Sequence, residues 1–349
     1  MDKKVIFSVA GSGKTTTIIS KLNLEERFLV ITYTDDNEKN IKERVLIKFG
    51  FIPKNIKIFT YFSFLYSFCY RPFFSLKYKS KGIYWQTPPV HTSRIKHHED
   101  KHFFHIDERI FHNRLAKFLI SRQAISKITN RMEKYFDSIL IDEVQDFAGN
   151  DFNFLMAVSK SKINFLMVGD FFQHTYDTSR DGPINRTLHD DFKKYKKRFI
   201  DEKIEVDEET LLKSYRCSET TCNFIKEKLE IAIESQLKNI TEIKWITEQN
   251  IADSLYNCSR TVKLFYQEHQ KYSCYSQNWG KSKGQDKYQD VCVVINKNTL
   301  KFFNENKLNE LPSQTKNKLY VALSRAKGNL YLVEDNLYKK YKTASAIKS

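Results

Sequence analysis

The chain has 349 residues and a mass of 41.4 kDa, enough for two domains with cores of their own. Its 58 Lys and Arg against 42 Asp and Glu leave a formal charge of +16, a surplus that suits a polyanion or an anionic membrane surface. A composition 41% hydrophobic and 14% aromatic excludes extended disorder, and no apolar run nears the roughly 20 residues of a membrane span.

The basic start and the short apolar run Val5–Val9 mimic a secretory leader, but the run breaks at Gly11-Ser12-Gly13. The expectation is therefore a mature N-terminus and a cytoplasmic protein. Six cysteines (Cys69, Cys217, Cys222, Cys258, Cys274, Cys292) contain no C-x-x-C pair and read as reduced thiols.

Val5–Val9 is the first predicted strand, and Ser8-Val9-Ala10-Gly11-Ser12-Gly13-Lys14-Thr15 follows it as a phosphate-cradling loop. The glycines let backbone N–H groups face phosphate oxygens at the positive end of the next helix. Lys14 would reach the β- and γ-phosphates of ATP, and Thr15 the Mg²⁺ ion. Ser8 stands where the strict pattern has glycine, while Ile18, Ile19 and Leu22 give the following helix its apolar face.

Phe28–Thr32 and Ile56–Phe59 are the next predicted strands. Between Arg71 and Arg131 the texture changes to Pro88-Pro89, many basic residues and the histidines His91, His97, His98, His102, His105 and His112. This reads as a basic insertion in the first sheet domain. His98 and His102 have helical i, i+4 spacing but no thiol company, so a solvated basic face touching phosphate is expected rather than a metal site. Lys77, Lys79 and Lys81 read equally as a solvated turn or as phosphate contacts.

Ser138–Ile141 is a strand ending in Asp142-Glu143, carboxylates placed at the edge where open α/β sheets hold ligands. Asp142 can hold the Mg²⁺, and Glu143 can orient and deprotonate the attacking water. Phe165–Val168 completes the first series. The acidic stretch Asp201–Glu209 is read as the boundary, and Ile243–Ile246, Val262–Phe265, Val291–Ile295 and Leu330–Val333 form a second series. The alternation predicts an α/β protein with two successive parallel sheets, in domains 1–205 and 206–349, the first carrying the insertion at about 71–131.

Eight short elements in order resemble the superfamily 1 helicases of the UvrD/PcrA/Rep type, from Val5 to about Val333. They are the loop ending at Lys14-Thr15, Ile31-Thr32-Tyr33-Thr34, Thr60-Tyr61-Phe62-Ser63-Phe64, Asp142–Asp146, and Val168-Gly169-Asp170 through Gln173 to Tyr176. Ser214-Tyr215-Arg216, Ser282-Lys283-Gly284 and Tyr320–Ala326 complete them. The resemblance implies two tandem RecA-like P-loop domains, with ATP in the cleft between them and single-stranded DNA as track. It implies that Ala10 through Thr16 and Gly284 contact the nucleotide, that Tyr215 stacks on the adenine, and that Gln173 senses the γ-phosphate. Arg216 and Arg325 become arginine fingers. Thr32, Tyr33, Thr34, Thr60, Tyr61, Ser63 and Tyr176 become the nucleic-acid contacts, with core packing as the competing reading for Tyr33 and Tyr61.

The chain departs from the family pattern in three ways. Phe62 replaces a histidine, Thr178 replaces a tryptophan, and the large second-domain insertion is missing between Cys217 and Gly280. The resemblance thus implies a compact motor that works beside a partner such as a nuclease, as in anti-phage systems of the Gabija type. The segment Tyr266–Tyr275 is either the docking face for that partner or core and edge strand. A regulatory subunit that senses ATP or DNA and gates a nuclease is the alternative.

Overall fold

The computed structural model describes residues 2–175 and 181–344. It contains β1 (Lys3–Phe7), β2 (Phe28–Thr32), β3 (Ile56–Thr60), β4 (Gly82–Tyr84), β5 (Arg109–Phe111), β6 (Ser138–Ile141), β7 (Asn164–Gly169) and β8 (Glu205–Asp207). They are followed by β9 (Lys213–Ser214), β10 (Glu234–Ser235), β11 (Ile243–Ile246), β12 (Val262–Phe265), β13 (Ser276–Asn278), β14 (Val291–Ile295) and β15 (Leu330–Glu334). The described residues divide into two compact units, one of 2–6, 14–169 and 181–207 and the other of 7–13, 170–175 and 208–344.

The first unit is built on a sheet of order β3-β2-β6-β7-β1-β8, in which the pairs β3/β2, β2/β6, β6/β7 and β1/β8 run parallel. The second holds a sheet of order β11-β15-β14-β12-β13, parallel throughout. Both carry helices between strands, and that explains the apolar runs. Strands such as β2 (FLVIT) and β14 (VCVVI) are buried along their whole length because helices cover both faces. The protein is thus α/β, with tandem RecA-like P-loop domains.

Two expectations change in detail. The first strand runs over Lys3–Phe7 rather than Val5–Val9, because Ser8 and Val9 leave the sheet and the Val9 amide bonds Leu211 O at 3.0 Å. Glu205–Asp207, inside the acidic stretch, is a sixth strand of the first sheet. Its acidic residues are satisfied by Lys4, whose Nζ lies 3.1 Å from Glu205 and 2.7 Å from Asp207.

The segment between Arg71 and Arg131 buries Phe103, Phe111, Leu115 and Phe118. A buried ion cluster pins it. Arg114 Nε and Lys117 Nζ each donate to Asp181 at 2.8 Å, and a second Arg114 nitrogen reaches the carbonyl of His102 at 2.6 Å. His102 is therefore not part of a solvated face, which corrects the sequence expectation. Its ring is buried, with Nδ1 3.1 Å from Thr92 O and Nε2 3.2 Å from Lys117 Nζ. His98 lies in a turn rather than a helix, and the described residues contain no group of three or more His, Cys, Asp or Glu side chains placed to hold a metal.

The six cysteines are unpaired thiols. Tyr266–Tyr275 is partly core, since Tyr272 stacks on Phe265 with centroids 4.0 Å apart, ahead of the edge strand β13. Among the described residues no helix is long and apolar enough to cross a membrane.

Candidate nucleotide site and nucleic-acid track

In the first unit, Lys14 and Thr15 open the helix Lys14–Lys21, and Asp142 and Glu143 follow β6. One strand, β7, separates β6 from β1, so the loops leaving β1 and β6 start about 10 Å apart on one edge of the sheet. There the Thr15 hydroxyl donates to Asp142 Oδ2 at 3.2 Å. The Asp142 carboxyl is buried and pushed up to about 7, first by desolvation and then by the neighbouring Glu143 charge, with Lys14 pulling the other way. A carboxylate so placed, beside a hydroxyl and short of positive charge, fits a divalent cation.

Glu143 sits in the left-handed region at φ +58, a conformation that costs a non-glycine residue about 1–3 kcal/mol and clusters at functional sites. Its carboxylate accepts a hydrogen bond from Gln145 Nε2, which fixes its direction. Thr16 turns outward instead and accepts a hydrogen bond from Arg44 at 3.1 Å.

The second unit contains the front of the phosphate loop, residues 7–13, with the other nucleotide candidates. Gly11 lies at φ +72, and a Cβ there would stand 2.7 Å from Arg216 Cβ, so only glycine fits. Its carbonyl accepts the Tyr215 amide at 2.9 Å, while the Tyr215 ring is 64% exposed. Gly13 is also left-handed, at φ +87, and the Ser12 hydroxyl is buried without a partner among the described residues, suited to a phosphate oxygen.

A chain of buried bonds continues from Ala10. Its amide donates to Tyr320 Oη at 2.9 Å, that hydroxyl donates to Asp170 Oδ2 at 3.0 Å, and Gln173 Nε2 donates to the same oxygen at 2.9 Å. Arg216 and Arg325 meet at Asp286, which pairs with Arg216 and lies 3.7 Å from an Arg325 nitrogen. Burial and the charge of Arg216 pull the Arg325 guanidinium down to about 10. Asp286 follows Gly284 by two residues, and Gly284 itself is exposed at φ +80. Asp170, Tyr320 and Asp286 carry these contacts without having been assigned a role from the sequence. Tyr320 and Asp170 lay inside quoted elements, whereas for Asp286 only its nearness to Ser282-Lys283-Gly284 was a signal.

The expected track residues separate. Thr34 and Thr60 cap helices, accepting from Asn37 N and Ser63 N, and Ser63 is exposed. Thr32 and Tyr33 are buried. Tyr61 is 1% exposed, its ring stacked on Tyr33 at 5.8 Å and edge-on to Phe147 at 4.7 Å. In this structure Tyr61 is a core residue, the reading that competed with its role as a nucleic-acid contact. Tyr176 and Thr178 lie outside the described residues.

Residues 119–334 match the viral superfamily 1 RNA helicase core domain, and residues 2–179 match an AAA domain. Each match spans more than half of the chain, which therefore belongs to the superfamily 1 helicase core family. No curated protein matches it significantly. Among solved structures, the helicase of PRRSV is 11% identical at a TM-score of 0.48, over 99% of this chain and 55% of that one. The arterivirus nonstructural protein 10 helicase is 12% identical at 0.48, over 98% and 62%. The same helicase in complex with DNA is 11% identical at 0.48, over 98% and 63%. The chain thus spans about three-fifths of the length of the solved helicases it is compared with.

Proposed function

We propose that the chain is a motor that hydrolyses Mg²⁺-ATP while moving on single-stranded nucleic acid. The observation that carries this reading is the 3.2 Å bond between Thr15 and the buried Asp142 carboxylate, beside Lys14 and Glu143. Thr15 and Asp142 would hold the Mg²⁺, which supplies charge neutralisation to the phosphates when bound. Lys14 binds the β- and γ-phosphates. Glu143, held by Gln145, orients the attacking water and accepts its proton. Backbone amides around Gly11 and Gly13 bind phosphate oxygens, and the exposed Tyr215 ring stacks on the base. Gln173 contacts the γ-phosphate from its seat on Asp170, while Arg216 and Arg325 stabilise charge on the transferring phosphoryl group.

The track is DNA on the UvrD-type reading, and the compact second domain favours work beside a nuclease or another nucleic-acid-processing subunit. RNA is the second reading, favoured by the viral RNA helicase model that matches residues 119–334. Gating of a partner nuclease without translocation is the remaining alternative. The test is ATP turnover by the purified chain, alone and with single-stranded DNA or RNA of equal length. Stimulation by one strand type establishes motor and track together. Turnover without stimulation favours the sensor, and no turnover with Mg²⁺-ATP removes the enzyme reading.

A further inference from the structure

We propose that Trp85 is a stacking platform for an unpaired nucleobase, supplied by the segment between Arg71 and Arg131 to the end of β3. Strands β4 and β5 pair in parallel with Tyr84 opposite Phe111, so the next residues, Trp85 and His112, leave the ladder side by side. Their rings stack with centroids 5.8 Å apart and planes 27° apart. Phe62, in the short helix Tyr61–Ser63 that follows β3, stands edge-on to both, 5.2 Å from Trp85 and 5.7 Å from His112. Phe62 is in turn edge-on to Tyr33 at 5.7 Å, so the indole is braced through to the sheet.

His112 is a neutral brace at neutral pH. Its Nδ1 lies 3.2 Å from Tyr84 O, and burial holds its pKa below the ordinary value. Yet Trp85 is 60% exposed. An indole packed for core stability is buried, whereas this one is held by His112 and Phe62 and still exposed.

The chemistry favours a base. Every nucleobase offers a π-face, and a pre-ordered aromatic ring loses little entropy on stacking. The formal charge is +16, and Lys77, Lys79 and Lys81 stand in the sequence just ahead of β4, so a polyanion is the matching partner. The exposed Ser63 lies in the same short helix as Phe62. Tyr61, one of the aromatics the resemblance puts forward for this work, is buried, while Trp85, packed on the neighbouring Phe62, is not.

This inference rests on the reading that the chain binds single strands, and the experiment separates the two. Binding of a fluorescein-labelled oligothymidylate is compared with that of an abasic oligonucleotide of equal length, for the wild type, Trp85→Ala and Trp85→Phe. The wild type should prefer the base-bearing strand. Trp85→Ala should weaken that binding roughly 5- to 150-fold and leave abasic binding almost unchanged, whereas Trp85→Phe should retain most of the preference. Tryptophan emission gives a second readout. Trp279 is buried and Trp245 is stacked on Phe303, so quenching by the base-bearing strand should report Trp85 and disappear in Trp85→Phe. If Trp85→Ala keeps the wild-type preference for bases, the platform is overturned and nucleic-acid binding stands. If the wild type binds neither oligonucleotide, the single-strand reading falls, and the platform with it. An exposed indole that responds only to an apolar peptide would mark a protein-docking site and overturn the proposal.

Discussion

Replacing Tyr320 with Phe removes one oxygen from the buried chain that runs from the phosphate loop to Gln173. That oxygen accepts the Ala10 amide at 2.9 Å and donates to Asp170 at 3.0 Å. Ala10 and Asp170 are both fully buried, and the removed atom leaves too little room for a replacement water. The Ala10 amide then stands unsatisfied, at about 1–3 kcal/mol, and the carboxylate loses a charge-assisted bond worth about 1.5–3 kcal/mol. The loss expected is about 3–5 kcal/mol in the second unit. With a urea dependence of about 2 kcal/mol per molar, the unfolding midpoint should fall by about 1.5–2.5 M. The assay is urea unfolding followed by circular dichroism, with ATP turnover measured on the folded variant. Turnover should also fall, because Asp170 seats Gln173. A midpoint shift below about 0.3 M would show that the hydroxyl does not bridge the two groups, and the chain from Ala10 to Gln173 would have to be abandoned.

Lys14→Ala should abolish both ATP binding and hydrolysis, whereas Glu143→Gln should bind ATP normally and turn over at least ~10²-fold more slowly; near-wild-type turnover in Glu143→Gln misassigns the base. Arg216→Ala and Arg325→Ala should each slow hydrolysis strongly with little change in ATP affinity, read from kcat and equilibrium binding together. Arg325→Ala should also lower Tm, since its guanidinium is buried and held by Val321 O at 3.2 Å. Neutralising Lys77, Lys79 and Lys81 should flatten the dependence of log K on log salt by about 1.4 rather than about 2, at roughly 0.7 per contact, because Lys81 is already paired with Glu108 at 2.9 Å. An unchanged slope makes the run a solvated turn.

Acidification gives a prediction of definite sign. His102 is held below its ordinary pKa by burial, then by Arg114 and Lys117. The unfolded chain therefore binds this proton more readily than the folded one. The stability of the first unit should fall as pH drops through the ordinary histidine range, with Asp181, 3.8 Å away, only partly offsetting the new charge. His102→Gln should flatten the Tm-against-pH curve between about pH 7 and pH 5.5, the span around the unfolded histidine pKa.

What the sequence determined by itself was whatever depends on neighbours along the chain. β2, β6, β12 and β14 lie where their apolar runs placed them, since a strand covered on both faces cannot tolerate polar positions without compensation. The phosphate loop was legible for a related reason: left-handed glycines and the Lys-Thr step act within a few residues, so their spacing carries their geometry.

Only the tertiary structure decided what depends on residues brought together from afar. Tyr61 is buried and Trp85 is exposed, since burial depends on which rings meet across the fold and not on hydropathy. His102 lies among many basic residues in the sequence, yet it is sealed by Arg114, Lys117 and Asp181. The acidic Glu205–Asp207 becomes a strand because Lys4, some 200 residues earlier, lies beside it in register. In each case the deciding energy is desolvation, or its relief by a distant partner, and a polar group's cost of burial is set by the folded neighbours that meet its charge or hydrogen bonds.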